Sequence, residues 1–100
     1  MPSKAKSKEY ILRLYVAGTT SRSIRAVANI KEICENSLKN RYDLEVIDIY
    51  QQPVLIKGEQ IIAAPTLVKK LPPPLRKFIG DMSDTERILV GLDLKNKNQD

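Results

Sequence analysis

Three consecutive prolines, Pro72, Pro73 and Pro74, constrain this chain more than any other feature. Each lacks a backbone N–H and holds φ at about −65°, so neither a strand ladder nor a helix continues through them. The apolar, β-prone run before them, Ala63–Leu71, therefore ends at Leu71, and Pro65 inside it must stand at a strand start or edge. The C-terminal segment beyond the prolines satisfies two incompatible templates. Read as a helix, Ser83–Lys95 has Ser83 as N-cap, Glu86 as its capping-box partner and Ile88, Leu89 and Leu92 as a short apolar face. Read as a strand, Ile88, Val90, Leu92 and Leu94 alternate with Leu89, Gly91, Asp93 and Lys95. A segment whose local signals disagree is expected to have competing compact states.

The elements before the prolines read more simply. Tyr10–Ala17 is almost uninterruptedly apolar, broken by Arg13, which predicts a strand covered on both faces, and Gly18-Thr19-Thr20-Ser21 turns the chain. Ile24, Val27, Ile30, Cys34 and Leu38 recur at spacings of three or four, predicting an amphipathic helix over about Ser21–Lys39 that Asn40-Arg41 ends. Leu44–Tyr50, with β-branched Val46, Ile47 and Ile49, is a second strand, and strand, helix and strand in succession make a βαβ unit with a parallel pair. Pro53 closes that unit. Between Val54 and Ala64 the pattern leaves one helix and two strands open, because Gly58 interrupts the first and the stretch is short for the second.

The 100 residues suffice for one core, and the expected division is a disordered basic tail over 1–8, a single domain over 9–95 and a short polar tail over 96–100. No apolar run approaches the roughly 18 residues of a membrane span, and the N-terminus lacks a secretion signal's apolar core, so a cytoplasmic protein is expected. The net charge of +5 is partly the tail's own, through Lys4, Lys6 and Lys8. With one Phe, four Tyr and no Arg/aromatic run, the chain does not read as a nucleic-acid module.

Catalytic classes are excluded in turn. Without histidine and with one cysteine the chain cannot build a common zinc site, and no cofactor or metal is expected. Gly18-Thr19-Thr20 lacks the spaced glycines and lysine of a phosphate loop. A βαβ start followed by Ala64-Pro65-Thr66 looks like the thioredoxin superfamily, yet Gly18–Arg22 stands where its two cysteines would be, which rules out dithiol chemistry. Cys34 falls on the helix's apolar stripe and reads as a buried structural thiol. Asp81, Asp84 and Glu86 read as turn and cap residues rather than an acid/base pair. The chain reads as a binding protein, not an enzyme.

Tyr15-Val16-Ala17-Gly18, Val46-Ile47-Asp48, Leu71-Pro72-Pro73-Pro74, Ile79-Gly80-Asp81 and Gly91-Leu92-Asp93, in this order from about Tyr10 to Leu94, closely resemble the KaiB family of circadian clock proteins. The resemblance implies a thioredoxin-like α/β protein with two orders of elements. In a ground-state homo-oligomer, dimer or tetramer, the order is βαββααβ, with Glu86–Leu94 a strand. In the partner-binding form it is βαβαββα, with about Arg76–Asp81 a strand and Ser83–Leu94 a helix. It implies an adaptor that docks on the N-terminal ring of a KaiC-type ATPase, with a KaiA-like component or an output kinase as further partners. The contact residues it implies are Arg25, Lys69, Arg76 and Lys77; those of the fold switch are Pro65, Pro72, Pro73, Pro74, Gly91 and Asp93. Gly91 disfavours the helix by about 1 kcal/mol relative to alanine, and Asp93 near its C-terminal end opposes the macrodipole. Gln60, where clock relatives tend to carry lysine, and the absence of an acidic C-terminal tail depart from the pattern and point to a host outside the cyanobacteria, with a simpler timer or stress role. The alternative is a thioredoxin-like stress-adaptation protein acting without a KaiC-type partner.

Overall fold

Residues 9–51 and 65–94 are described by the computed structural model, and in them six elements succeed one another: β1 (Tyr10–Val16), α1 (Ser21–Ser37), β2 (Tyr42–Asp48), β3 (Thr66–Leu71), β4 (Arg76–Ile79) and α2 (Thr85–Gly91). The expected tails, the stretch Val54–Ala64 and Gln60 lie outside the described residues.

β1, α1 and β2 form the expected βαβ unit. β1 pairs in parallel with β2 from Tyr10 opposite Tyr42 to Val16 opposite Asp48, two residues earlier on β2 than the apolar run suggests. The strand stops at Asp48 because its Oδ1 accepts the amide N–H groups of Gly18 and Tyr50, turning the chain just where Ile49 and Tyr50 would have extended it. β3 lies antiparallel to the other side of β1, β4 antiparallel to β3, and the sheet order is β2-β1-β3-β4. β2 and β4 are thus the edges. The proline run occupies the connection between β3 and β4, with the Leu71–Pro72 and Pro73–Pro74 peptide bonds cis.

Alternation along β1 divides the core. Tyr10, Leu12, Leu14 and Val16 face the helices and meet Ala26, Ile30, Ile33, Cys34 and Leu38 with Leu67, Phe78, Met82, Ile88 and Leu92. Tyr15 points to the opposite face, where it is buried with Ile47 and Val68. The helical period places Ile24 and Val27 on α1's core stripe. The helix is instead rotated so that Ala26, Ile30, Ile33 and Cys34 face the sheet, Val27 is half-buried and Ile24 is 58% exposed.

The order βαββααβ, with Glu86–Leu94 a strand, is not the one adopted here. β4 and α2 are those of the alternative order, with the helix reading of the C-terminal segment realised. Its cap is Asp84, not Ser83: the Asp84 carboxylate accepts the Arg87 N–H at 3.2 Å, while the Ser83 N–H is taken by Asp81. At the other end, the Asp93 N–H reaches the Val90 carbonyl and the Leu94 N–H the Leu89 carbonyl, with Asp93 at φ 63°, so the helix closes in a Schellman turn whose left-handed residue is an aspartate. Burial of Ile88 and Leu92 anchors the element, each contributing about 1.5–3 kcal/mol relative to exposure.

Candidate partner-docking site

One end of the sheet gathers three loops. β1 runs out through Ala17 and Gly18, whose N–H groups are held by Ser23 Oγ at 3.1 Å and Asp48 Oδ1 at 3.2 Å, and Thr20 caps α1 by accepting the Ser23 N–H. Buried Pro65 precedes β3, and its carbonyl accepts the Gly80 N–H just after β4. Asp81 then closes the group: its carboxylate takes Arg25 Nε at 3.2 Å and the Ser83 N–H at 3.1 Å, and its carbonyl accepts Asn29 Nδ2 at 2.9 Å. Hydrogen bonding from the Ser83 side chain, and then from Arg25 and the Ser83 N–H, holds the Asp81 carboxyl below its usual range. Asp81 therefore ties the segment after β4 to α1, across more than fifty residues of chain.

Three of the four expected contact residues are exposed and the fourth, Lys69, is not. Arg25, exposed on α1, is the one held by Asp81. Arg76 and Lys77 are exposed on the edge strand β4, in a neighbourhood that also exposes Leu71, Leu75 and Ile79. Lys69 is a correction. Its register position opposite Leu12 points it to the helix-covered face, where it has no exposed surface and its ammonium lies 3.7 Å from Asp93 Oδ2 without a hydrogen-bond partner among the described residues. The long apolar stem fills core space beneath α2, and the charge meets the carboxylate that α2's terminal turn delivers. Lys69 is not available to a partner in this arrangement.

The residues expected to govern a fold switch also have defined places. Pro73 and Pro74 are exposed and Pro72 half-buried in the β3–β4 connection. Gly91 is the last residue of α2, and a Cβ built there would overlap the ring of buried Phe78. Without a side chain Gly91 lets α2 pack directly against the Phe78 ring, although glycine is a poor helix former. Asp93 sits beyond the helix cap, and Lys69 answers its charge as well as the macrodipole opposing it. A further tie, which residue spacing does not reveal, runs from the Tyr10 hydroxyl on β1 to the Leu92 carbonyl at 2.8 Å.

What this end of the molecule presents is surface, not reactive chemistry. Cys34 is fully buried, and burial, with the nearby Glu35 charge as a smaller cause, pushes its thiol up to about 12. Among the described residues no group of three or more His, Cys, Asp or Glu could hold a metal ion, and no helix is long and apolar enough to cross a membrane. Asp81, Asn29 and Phe78 are the functional neighbours that sequence reasoning did not place. Only Asp81 carried a signal, as a turn residue after Gly80.

Residues 13–94 match the family model described as the KaiB domain. A circadian clock oscillator protein KaiB of Prochlorococcus marinus strain MIT 9515 is 56% identical over 90 residues, covering 90% of this chain and 83% of that protein. The KaiB of Nostoc punctiforme is 54% identical over 91 residues, covering 91% and 86%. Among solved structures, the N-terminal domain of Synechococcus elongatus SasA superposes with a TM-score of 0.70 at 21% identity, over 99% of this chain and 97% of that one. Mitochondrial thioredoxin 3 of Saccharomyces cerevisiae gives 0.69 at 16% identity, over 88% and 80%. Both likenesses are of fold, and the fold is thioredoxin-like.

Proposed function

Because this chain belongs to the KaiB family, whose named relatives are clock proteins and not enzymes, we propose that it is an adaptor that docks on the N-terminal ring of a KaiC-type ATPase in the thioredoxin-like arrangement. It reaches that arrangement from a homo-oligomeric ground state of order βαββααβ, acts in the cytoplasm, and serves circadian or timer regulation, with a KaiA-like component or an output kinase as further partners. The observation that carries the reading is the C-terminal segment. Residues 83–95 satisfy both a strand and a helix template, and within them Thr85–Gly91 form α2, packed on a β4 that the alternative order requires.

The docking surface comprises Arg76 and Lys77 on the open β4 edge and Arg25 on α1, with Lys69 withdrawn from it. A basic, partly apolar edge strand suits an acidic protein surface, because rim charges accelerate association and the apolar side chains supply the area. The test is co-elution of the full chain with its cognate KaiC-type ring in unphosphorylated and phosphomimetic forms. Co-elution that is lost in Arg76→Glu/Lys77→Glu and retained in Lys69→Met is the expected result. Absence of co-elution under every nucleotide and phosphorylation condition would overturn the adaptor reading.

A further inference from the structure

Outside its core stripe α1 carries a second, smaller apolar set, bounded by Val27, which is half-buried against the core. Ala26, Ile30, Ile33 and Cys34 are buried against the sheet, whereas Ile24, Val27, Ala28 and the stem of Lys31, at spacings of three, four and seven, line an open hollow of about 420 Å³ beside Gly18 and Ser23. Its most prominent member, Ile24, is 58% exposed. Scattered surface aliphatics need no explanation, but an aligned set lining one hollow does.

Charge supplies the second observation. From Ser21 to Lys31 the helix carries Arg22, Arg25 and Lys31 and no carboxylate, and its first turn contains no acidic residue. Cations at a helix N-terminus oppose the macrodipole, so this half of α1 is charged against its own stability. Of the acids nearby, Asp48 Oδ1 accepts the Gly18 and Tyr50 N–H groups, Glu35 accepts the Tyr42 hydroxyl at 2.7 Å, and Glu32 directly follows Lys31 at the far end of this stretch. Arg25 gives its Nε–H to Asp81, one of the five donors of its guanidinium, which orients the fork while leaving most of it for a second acceptor.

We propose that this outward face of α1 is a docking surface for an acidic protein segment that seats one aliphatic side chain between Ile24 and Lys31 and sets its carboxylates against Arg22, Arg25 and Lys31. The lining itself is aliphatic, and the exposed Tyr50 ring beside Gly18 offers a single stacking platform where nucleic-acid modules use two or three, which favours a protein segment over a nucleic acid. Arg25 is shared with the ring-docking set, so the test reads Ile24, Val27, Ala28 and Lys31, which lie outside that set, and its failure leaves the ring-docking reading untouched.

The probe is a short acetylated peptide of glutamates flanking a leucine, titrated into the ¹⁵N-labelled full chain and followed by nuclear magnetic resonance. Its glutamine counterpart and a short thymidine oligonucleotide serve as comparisons. Saturable shifts at Ile24, Val27, Ala28 and Lys31 with the acidic peptide alone are expected. Ile24→Glu should weaken that binding about tenfold, from the lost apolar contact and the added like charge, while leaving the thermal midpoint unchanged or higher because it places an acid in the first helical turn. The proposal is overturned if the acidic peptide leaves those amides unshifted, if the glutamine peptide binds equally well, or if the oligonucleotide binds there and the peptide does not. A fall in thermal midpoint for Ile24→Glu would also overturn it, by making Ile24 a structural residue.

Discussion

Lys69 places a four-carbon stem and an ammonium wholly beneath α2, with Asp93 3.7 Å away as counter-charge. Burying an ion costs several kcal/mol, which a single partly exposed carboxylate does not fully offset, whereas an apolar chain of the same length keeps the packing without that cost. Lys69→Met should therefore leave the thioredoxin-like arrangement as stable or more stable by up to about 2 kcal/mol, while Lys69→Ala, which opens a cavity, should lower it by about 2–3 kcal/mol. Thermal unfolding of the two variants side by side checks this. Tyr10 offers a second residue-level test. Burial first, then the Glu9 charge, raises its hydroxyl above the usual value of 10.0, and the neutral form is the one that donates to Leu92. A raised folded-state value means the stability is complete below about pH 10 and lost as pH rises through it. Tyr10→Phe should cost about 1 kcal/mol at neutral pH and remove part of the alkaline sensitivity, as read from unfolding midpoints across that range. Lys69 could not be placed from its sequence neighbourhood because Thr66–Lys69 are all buried, leaving no polar–apolar alternation to mark the helix-covered side.

Among the elements, α2 is the part of the fold that sequence specifies least and neighbours decide most. Its N-cap shows how. Ser83 and Glu86 fit the capping-box template, but Asp81 takes the Ser83 N–H and the helix begins one residue later on Asp84. Asp84→Ala should weaken α2 by about 1 kcal/mol and Ser83→Ala by distinctly less, measurable as hydrogen-exchange protection at Ile88 and Leu92. Gly91 sets two effects in opposition. Alanine gains up to about 1 kcal/mol of helix propensity, but its methyl must displace the Phe78 ring, which borders a surface hollow of about 190 Å³ into which it can shift. The gain from Gly91→Ala should accordingly be larger in a Phe78→Leu background than in the native one, with a coupling of at least about 0.5 kcal/mol in a double-mutant cycle. By contrast, β1, α1 and β2 were readable because their periods are long and unambiguous. Their errors were of boundary and rotation, at Asp48 and Ile24, where a side-chain turn and a helix rotation act below the resolution of a hydrophobic pattern.

For the molecule as a whole, the sheet order β2-β1-β3-β4 joins the βαβ half to a half whose sequence satisfies two templates through the β1–β3 ladder, and specific side-chain ties add to that ladder. Among the described residues these ties include Asp81 with Arg25 and Asn29, and Tyr10 with Leu92, while Asp93 with Lys69 fastens the end of α2 to β3 within the second half. Each joins residues far apart in the chain, so no local pattern revealed them, although the family resemblance did imply which segments differ between the two orders of elements. Asp81 also confers a pH dependence opposite to that of Tyr10. Its depressed value means that its contribution is complete above the usual carboxylate value of 3.8 and is lost as pH falls through the folded-state value, so acid should loosen the α1 tie. Engagement of a KaiC-type ring with the C-terminal segment helical is tested most directly by ¹³Cα chemical shifts of the labelled full chain in the sedimented complex. Extended shifts at Arg76–Ile79 and helical shifts at Thr85–Gly91 are expected in the bound protein. Bound protein with Glu86–Leu94 extended would contradict that engagement.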